Sequence, residues 1–339
     1  MTQLSDHTSL RVGGPATQFI EVHTEDQIIA ALEAAGDTPV LILGGGTNVL
    51  IADAGFAGTV IHISNSSLVS DVDACSGATL TIGAGENWDD FVALTLDRGF
   101  AGLETLSGIP GTVGASPIQN IGAYGHEVAE FITRVRTYDR QLKEIKTFTH
   151  SECEFEYRSS YFKKNPGRYI VLEVQFQLRI GQESSPITYS ELATALAIEV
   201  GQKAELALVR AMVLQLRGAK GMLLNAKDPD SWSAGSFFTN PIITADQAKK
   251  LPADAPQWPQ PDGRIKTSAA WLIEHSGITK GQALGGAKIS TKHVLAITNS
   301  GQATAADIVE LAKSAQQAVR EAFGIALEAE VNLVGVNLQ

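Results

Sequence analysis

Apolar and polar residues alternate along this chain with two periods, and the switches between them predict its elements. Residues 17–23 alternate with period two, as a half-buried strand does, and 25–35 carries apolar residues at helical spacing. Short strands are predicted at 39–43, 49–51, 59–63 and 79–83, followed by an amphipathic helix over 87–98. Segments 132–138 and 144–148 read as a hairpin turning through 139–143, and 169–178 as a strand. Residues 204–216 (AELALVRAMVLQL) are strong helix formers, with Gly218 placed as a C-cap after Arg217 and a domain boundary set there. Beyond it the pattern predicts a short helix over 267–275 capped by Gly277, a strand at 294–299, a long amphipathic helix over 304–323 ending at Gly324, and a closing strand at 328–335.

One stretch fits neither period. Residues 102–125, GLETLSGIPGTVGASPIQNIGAYG, mix glycines and prolines with Leu106, Ile109, Val113, Ile118 and Ile121. A solvent linker carries fewer aliphatics, and each glycine would cost a helix about 1 kcal/mol relative to alanine. The stretch therefore reads as irregular backbone held against the protein, where bare N–H and C=O groups approach something large. Gln119 and Asn120 add side-chain donors and acceptors suited to the edge of a heterocycle. A buried Ω-type loop that only packs explains the same composition equally well.

Composition narrows the classes. A chain of 339 residues, 44% hydrophobic, has room for two or three domains with real cores. No run approaches the ~18 apolar residues of a membrane span, and the N-terminus lacks a secretory pattern, so a cytoplasmic protein is expected. A net charge of −11 argues against a nucleic-acid partner. Cys75 and Cys153 are too few for a disulfide framework, and the 7 histidines show no ligand spacing, so no metal site is expected.

Four smaller features carry candidate chemistry. Gly44-Gly45-Gly46-Thr47-Asn48 follows a strand and offers either a nest of N–H groups for a phosphate or a tight turn, without the P-loop or Rossmann fingerprint. Arg158 lies among aromatics in FEYRSSYFK, either packing its stem on rings or gripping an anion. Ser236 in AGSFFTNP is flanked by small residues but lacks the surroundings of a nucleophile elbow. Glu328 and Glu330 share one face of the closing strand, an ordinary arrangement for exposed strand glutamates.

The order of these pieces is specific where each alone is not. HTSLRVGG (7–14), LILGGGTNVL (41–50), the glycine-rich stretch, FEYRSSYFK (155–163), AGSFFTNP (234–241), KTSAAWLIE (266–274) and LEAEVNLVG (327–335) span nearly the whole chain. Together they resemble the UDP-N-acetylenolpyruvoylglucosamine reductase (MurB) family. The resemblance implies an α+β chain. Two subdomains of a PCMH-type FAD-binding fold are expected over 1–65 and 66–218, and a third, substrate-binding domain over 219–325, with 326–339 returning to the core. It implies noncovalent FAD, NADPH as reductant, a small-molecule UDP-sugar substrate and a monomer. The expected FAD contacts are Gly44, Gly45, Gly46, Thr47, Asn48 and Val49 at the pyrophosphate. Along the flavin they are Pro110, Gly111, Gly114, Ala115, Ser116, Ile118, Gln119, Asn120, Ile121, Gly122 and Ala123, with Arg217 nearby.

The family's catalytic residues fall on Arg158, Ser236 and Glu330: a guanidinium clamp, a proton donor to the α carbon, and a carboxyl group expected to share a proton beside the substrate carboxylate. Tyr124, Tyr189, Lys220, Asn240, Lys266 and His293 are expected at the UDP-sugar, Tyr189 marking the subclass in which a tyrosine-bearing loop closes over the diphosphate. Between Lys220 and Ser236 the chain departs from the common family pattern, with GMLLNAKDPDSWS replacing a shorter proline-rich run. Two other readings are an FAD-dependent oxidase of the same superfold, with His126 as a covalent flavin attachment point, and a UDP-sugar-binding regulator that has lost catalysis.

Overall fold

The strand Tyr169–Ile180 buries Leu172, Val174, Phe176 and Leu178 and leaves the residues between them half-buried, the period of a sheet covered more heavily on one face. It lies inside a six-stranded sheet whose order runs Glu144–Thr149, Ile132–Asp139, Tyr169–Ile180, Gly77–Gly83, Leu68–Asp73, with Phe100–Ala101 pairing its far end. The helix Trp88–Asp97 packs its apolar side on this sheet. Phe91 meets Phe176 at 5.0 Å between ring centroids, and Trp88 meets it at 6.1 Å. The Trp88 indole N–H donates to the carbonyl of Leu106 at 3.0 Å, so the ring is buried without an unpaired polar atom.

The structure is a computed structural model and describes residues 1–338. The chain falls into two compact units, one of Met1, 16–45 and 57–219, the other of 2–15, 46–56 and the residues from Lys220 on. The first unit also holds a three-stranded sheet in the order Ala16–Val22, Phe56–Ile63, Val40–Leu43, the last two parallel. The helix Glu25–Ala35 opens on Thr24, whose side chain accepts from the Gln27 N–H, and it buries Ile28, Ala31 and Leu32 on one stripe. In the hairpin of Ile132–Asp139 and Glu144–Thr149 the fully buried Asp139 carboxylate accepts from the N–H groups of Gln141 and Leu142 and from Arg168 Nη2 at 2.8 Å.

In the second unit the helix Ala305–Phe323 has a reciprocal cap between Thr304 and Asp307 and stops at Gly324. Asp53 adds a second N-terminal acceptor, taking the N–H groups of Ala305 and Ala306. The helix buries Ile308, Leu311, Ala312, Ala315 and Val319 in a core that includes Phe237, Phe238 and Leu272. The strand Val49–Ile51 runs parallel to Asn332–Val334, so the closing segment pairs with a strand from early in the sequence.

Several predicted boundaries differ. The helix at the end of the first unit is Leu206–Ala219, so Gly218 lies within its last turn rather than capping it. The closing strand shrinks to Asn332–Val334, because 328–330 pairs instead with 237–239: the Thr239 N–H donates to Glu328, Phe238 bridges Ala329, and the Glu330 N–H donates to Phe237. The predicted strand 294–299 is only Ile297–Asn299, since the Ala296 N–H closes a turn on His293. The strand Leu68–Asp73 escaped prediction because it is exposed along its whole length and carries no buried face to read.

Asp139 generates a pH prediction. Hydrogen bonds from Arg168, together with those from the turn N–H groups, outweigh burial and hold its carboxyl below the ordinary carboxylate range. A carboxyl whose folded pKa is depressed stabilises the fold above its unfolded value of about 3.9 and loses that contribution as pH falls through the folded value. Urea unfolding of wild type and Asp139→Asn should show a stability gap that is full at neutral pH and closes in acid below about pH 4. A gap of constant size across that range would contradict the assignment.

Candidate functional site

In the first unit, the glycine-rich stretch is held from behind by the segment that leads into the helix Trp88–Asp97. The Gly114 N–H donates to Ala84 at 2.8 Å, the Val113 N–H to Glu86 at 2.9 Å, and the Trp88 N–H to Gly111 at 3.0 Å. A Cβ on Gly114 would sit 2.4 Å from that of Ala84, so a larger residue there would push the two backbones apart. Within the stretch Ala115 and Ile118 are exposed, and Pro110, Gly111, Thr112, Gln119, Ile121, Gly122 and Ala123 are half-buried. Ser116 turns inward, its hydroxyl donating to Val113 at 2.7 Å.

Asn120 corrects the sequence reading. Its side chain is buried, donates to Glu127 Oε2 at 2.6 Å and to the Glu156 carbonyl at 3.2 Å, and accepts from the Ala129 N–H. Those bonds stabilise a backbone with φ of 48°, a conformation asparagine tolerates better than most residues. The amide is therefore spent inside the protein rather than offered to a heterocycle. Arg158 serves the same stretch: Nη2 donates to the Gly122 carbonyl at 2.8 Å and Nη1 to that of Asn120 at 3.3 Å, which sets a guanidinium beside the wall. Glu104, fully buried, accepts from the N–H groups of Gly102 and Ser185 and so ties the start of the stretch to the loop that carries Tyr189.

Tyr189 is partly exposed and meets Tyr124 edge-on at 5.6 Å between centroids. Burial pushes the Tyr124 phenol up to about 12 against the opposing field of Arg217, so it is a neutral hydrogen-bonding group at physiological pH. Arg217 Nε donates to the Gly108 carbonyl at 3.1 Å. His126 turns Nδ1 to Glu130 Oε2 at 2.8 Å, and that bond raises its pKa despite burial. Nδ1 is thereby paired with a carboxylate four residues along the chain.

The loop 44–48 is shared between the units in sequence, Gly44 and Gly45 belonging to the first and Gly46, Thr47 and Asn48 to the second. Gly46 has φ of 62°, and a Cβ there would lie 1.9 Å from the His7 carbonyl oxygen, so the turn requires glycine. Asn48 Nδ2 donates to the Glu330 carbonyl at 3.3 Å, and the Asn332 N–H donates to the Asn48 carbonyl. Val49 is buried in the strand that follows.

The second unit also sets the segments that carry Ser236 and Glu330 side by side. The Glu330 N–H donates to the carbonyl of Phe237, the residue after Ser236, at 2.8 Å. Phe237 and Phe238 are buried and 5.1 Å apart, anchoring a segment on which Ser236 remains half-buried. Asn240 Oδ1 accepts from the Ala269 N–H at 2.9 Å, so this side chain caps the helix Ala269–Glu274. Lys266 is half-buried on the strand Ile265–Thr267, opposite Trp258, with Nζ 5.9 Å from the indole. His293 heads the turn closed by Ala296, and its N–H donates to Ser290 Oγ. The distinctive run after Lys220 is built into the unit: the buried Asp230 accepts from Thr291, Asp228 pairs with Lys292 at 2.7 Å, and Arg11 lies over the Trp232 ring at 3.7 Å.

These surroundings suit FAD. A flat, largely apolar ring system rimmed by hydrogen-bonding atoms matches a wall of glycine and aliphatic residues in which Ser116 and Asn120 turn inward and Thr112 and Gln119 are half-buried. The Gly46 turn leaves no room for a side chain beside the His7 carbonyl. Sequence reasoning missed Glu104, Asp89 and Arg210, which support this wall; Arg210 and Arg217 were legible as one helix face from their spacing of two turns.

Comparison with known proteins agrees. Residues 16–144 match the family profile described as FAD binding domain, and residues 228–334 that described as UDP-N-acetylenolpyruvoylglucosamine reductase, C-terminal domain. UDP-N-acetylenolpyruvoylglucosamine reductases of Cutibacterium acnes and Streptomyces avermitilis are 48% and 49% identical to the chain, each over 99% of it and over 90% and 94% of the relative. The crystal structure of UDP-N-acetylenolpyruvylglucosamine reductase (MurB) from Thermus caldophilus superposes with a TM-score of 0.68 at 27% identity, covering 98% of this chain and 97% of that one. The fold is therefore the α+β, PCMH-type FAD-binding fold followed by the family's C-terminal domain. With identity of this order sustained over almost the full length of both partners, the chain belongs to the UDP-N-acetylenolpyruvoylglucosamine reductase family.

Proposed function

We propose that Arg158, Ser236 and Glu330 are the catalytic residues of this chain, with FAD carried noncovalently by Gly44–Val49, the wall over 110–123 and Arg217. The activity is the family's: NADPH-dependent reduction of UDP-N-acetylglucosamine enolpyruvate to UDP-N-acetylmuramate, in peptidoglycan precursor synthesis. The observation that carries the assignment is the pairing of 237–239 with 328–330, which fixes an alcohol and a carboxyl group on neighbouring backbones.

FAD, held by Gly44–Val49, the 110–123 wall and Arg217, would supply the two-electron chemistry that takes hydride from NADPH, leaving NADP⁺, to the β carbon of the substrate alkene. Addition there puts negative charge on the α carbon and its carboxylate, and one proton must arrive at that carbon. Ser236 Oγ–H delivers it; a hydroxyl is a poor acid at rest, but a positioned one protonates a basic carbanion. Its own proton is then replaced from solvent. Arg158 is always protonated and places positive charge where negative charge develops. Glu330 sits at the substrate carboxylate as the second acid–base group.

For the UDP-sugar we assign Tyr124, Tyr189, Lys220, Lys266 and His293, with Asn240 acting through the helix it caps. Tyr189, exposed and resting on Tyr124, is the group available to close over a diphosphate. The FAD-binding part is assigned to the first unit together with the Gly46–Val49 turn, and the substrate-binding part to the residues from Lys220 on. The protein is proposed to act as a cytoplasmic monomer, where NADPH and UDP-activated sugars are made. The alternative of an oxidase with flavin attached through His126 is set aside because the identity to UDP-N-acetylenolpyruvoylglucosamine reductases runs over almost the whole chain.

Ser236→Ala should leave bleaching of the flavin by NADPH within a few-fold of normal while turnover falls by about 10²–10⁴, the range for loss of a general acid. Stopped-flow absorbance separates the two halves, and a matching loss of flavin reduction would reject the role. Arg158→Lys retains charge but not the fork that reaches two carbonyls, and kcat/KM should fall by about a hundredfold, or roughly 2.7 kcal/mol. Wild-type kinetics in that variant would reject the clamp.

A further inference from the structure

We propose that Asp89 and Arg210 are positioning residues for FAD: they hold the Gly108 peptide, and through it Arg217, in the arrangement that the cofactor requires. This rests on the assignment of the wall and of Arg217 to FAD.

Asp89 is the second residue of the helix Trp88–Asp97 and is half-buried. Its Oδ1 takes two donors, the Gly108 N–H at 2.6 Å and Arg210 Nη1 at 2.7 Å, and its Oδ2 takes Arg210 Nη2 at 2.9 Å. On the opposite side of residue 108, Arg217 Nε donates to the carbonyl at 3.1 Å. Gly108 is thus gripped at N–H by a carboxylate and at C=O by a guanidinium. Both arginines come from one face of the helix Leu206–Ala219, two turns apart. Trp88 closes the clasp around it, its indole N–H on Leu106 and its backbone N–H bonded to Gly111. Pro110, the first residue assigned to the flavin wall, lies two positions beyond Gly108.

A staple between two helices would need only the forked Arg210–Asp89 pair. The short bond to Gly108 adds something else, coupling that pair to a backbone segment outside both helices. Burial raises the Asp89 carboxyl, but Arg210, the Gly108 N–H and the field of Arg217 together outweigh it and keep the group ionised. The charges that face Asp89 are those two arginines, and Tyr124 lies in the field of Arg217. An ionised carboxylate accepts from a peptide N–H more strongly than an amide does, so Asp89→Asn loosens the peptide and removes the anion facing Arg217 while keeping the shape.

The test uses full-length holoprotein, diluted so that FAD release is read as recovery of free-flavin fluorescence, together with the visible spectrum of the bound flavin. Asp89→Asn should weaken FAD about tenfold or more and alter the resolved shape of the flavin bands. Arg210→Lys should weaken it less, and Asp89→Glu should recover part of the affinity. A dissociation constant within twofold of wild type and a superimposable spectrum in Asp89→Asn would overturn the proposal, even if the variant melts at a lower temperature. If Asp89→Asn yields no folded holoprotein, Arg210→Lys decides on the same two readouts. Arg217→Gln separates the two levels: FAD affinity lost there but kept in Asp89→Asn rejects the clasp alone. Affinity kept in both rejects the placement of FAD on this wall, and the clasp with it.

Discussion

Backbone without regular structure persists beside a core only when its N–H and C=O groups have partners, and that requirement shapes the first unit of this chain. The stretch from Leu106 to Ala123 has almost no ladder of its own. Beyond the tight turns within 112–121, its bonds go to Ala84, Glu86 and Trp88 behind it, to Arg158 and Arg217 at its carbonyls, and to Asp89 at Gly108. Polar side chains that would otherwise project outward, those of Ser116 and Asn120, are drawn in to complete the count. What remains outside is a surface of aliphatic groups and half-buried main chain, a good bed for a flat aromatic cofactor and a poor one for water.

The second unit meets a different demand. In the role proposed for Ser236, a donor as weak as serine has to be held still, because its reactivity would come from placement rather than acidity. Two buried phenylalanines follow Ser236 directly, and the Phe237 carbonyl is tied to the Glu330 N–H, so the hydroxyl is carried on a backbone that cannot drift independently of the carboxyl. Asn48 joins the same arrangement through the Glu330 carbonyl, linking the Gly46 turn to the segment that bears Glu330.

Much of this was legible in the sequence. The helices at 25–35 and 304–323 were readable because burial, capping residue and terminal glycine all agree, and the hairpin around Asp139 because a short polar turn joins two strand patterns. Where the reading failed, a local signal was outweighed by a distant one. Gly218 looks like a cap but lies within a helix that continues to Ala219. Residues 328–331 alternate like a strand but spend their bonds on 237–239. Asn120 looks like a ligand for a heterocycle, yet its own positive φ and the neighbouring Glu127 claim its amide. No local pattern separates a polar group that serves a cofactor from one that serves the backbone beside it, and Asp89 and Glu104, ordinary acidic residues in the sequence, belong to the second kind.

The account is tested most directly without oxygen. The purified holoprotein is bleached with NADPH, and the enolpyruvyl ether of UDP-N-acetylglucosamine is then added while the flavin absorbance is followed. Colour returning in proportion to substrate, with UDP-N-acetylmuramate formed, is the predicted result. A flavin that stays bleached until air is admitted would contradict it.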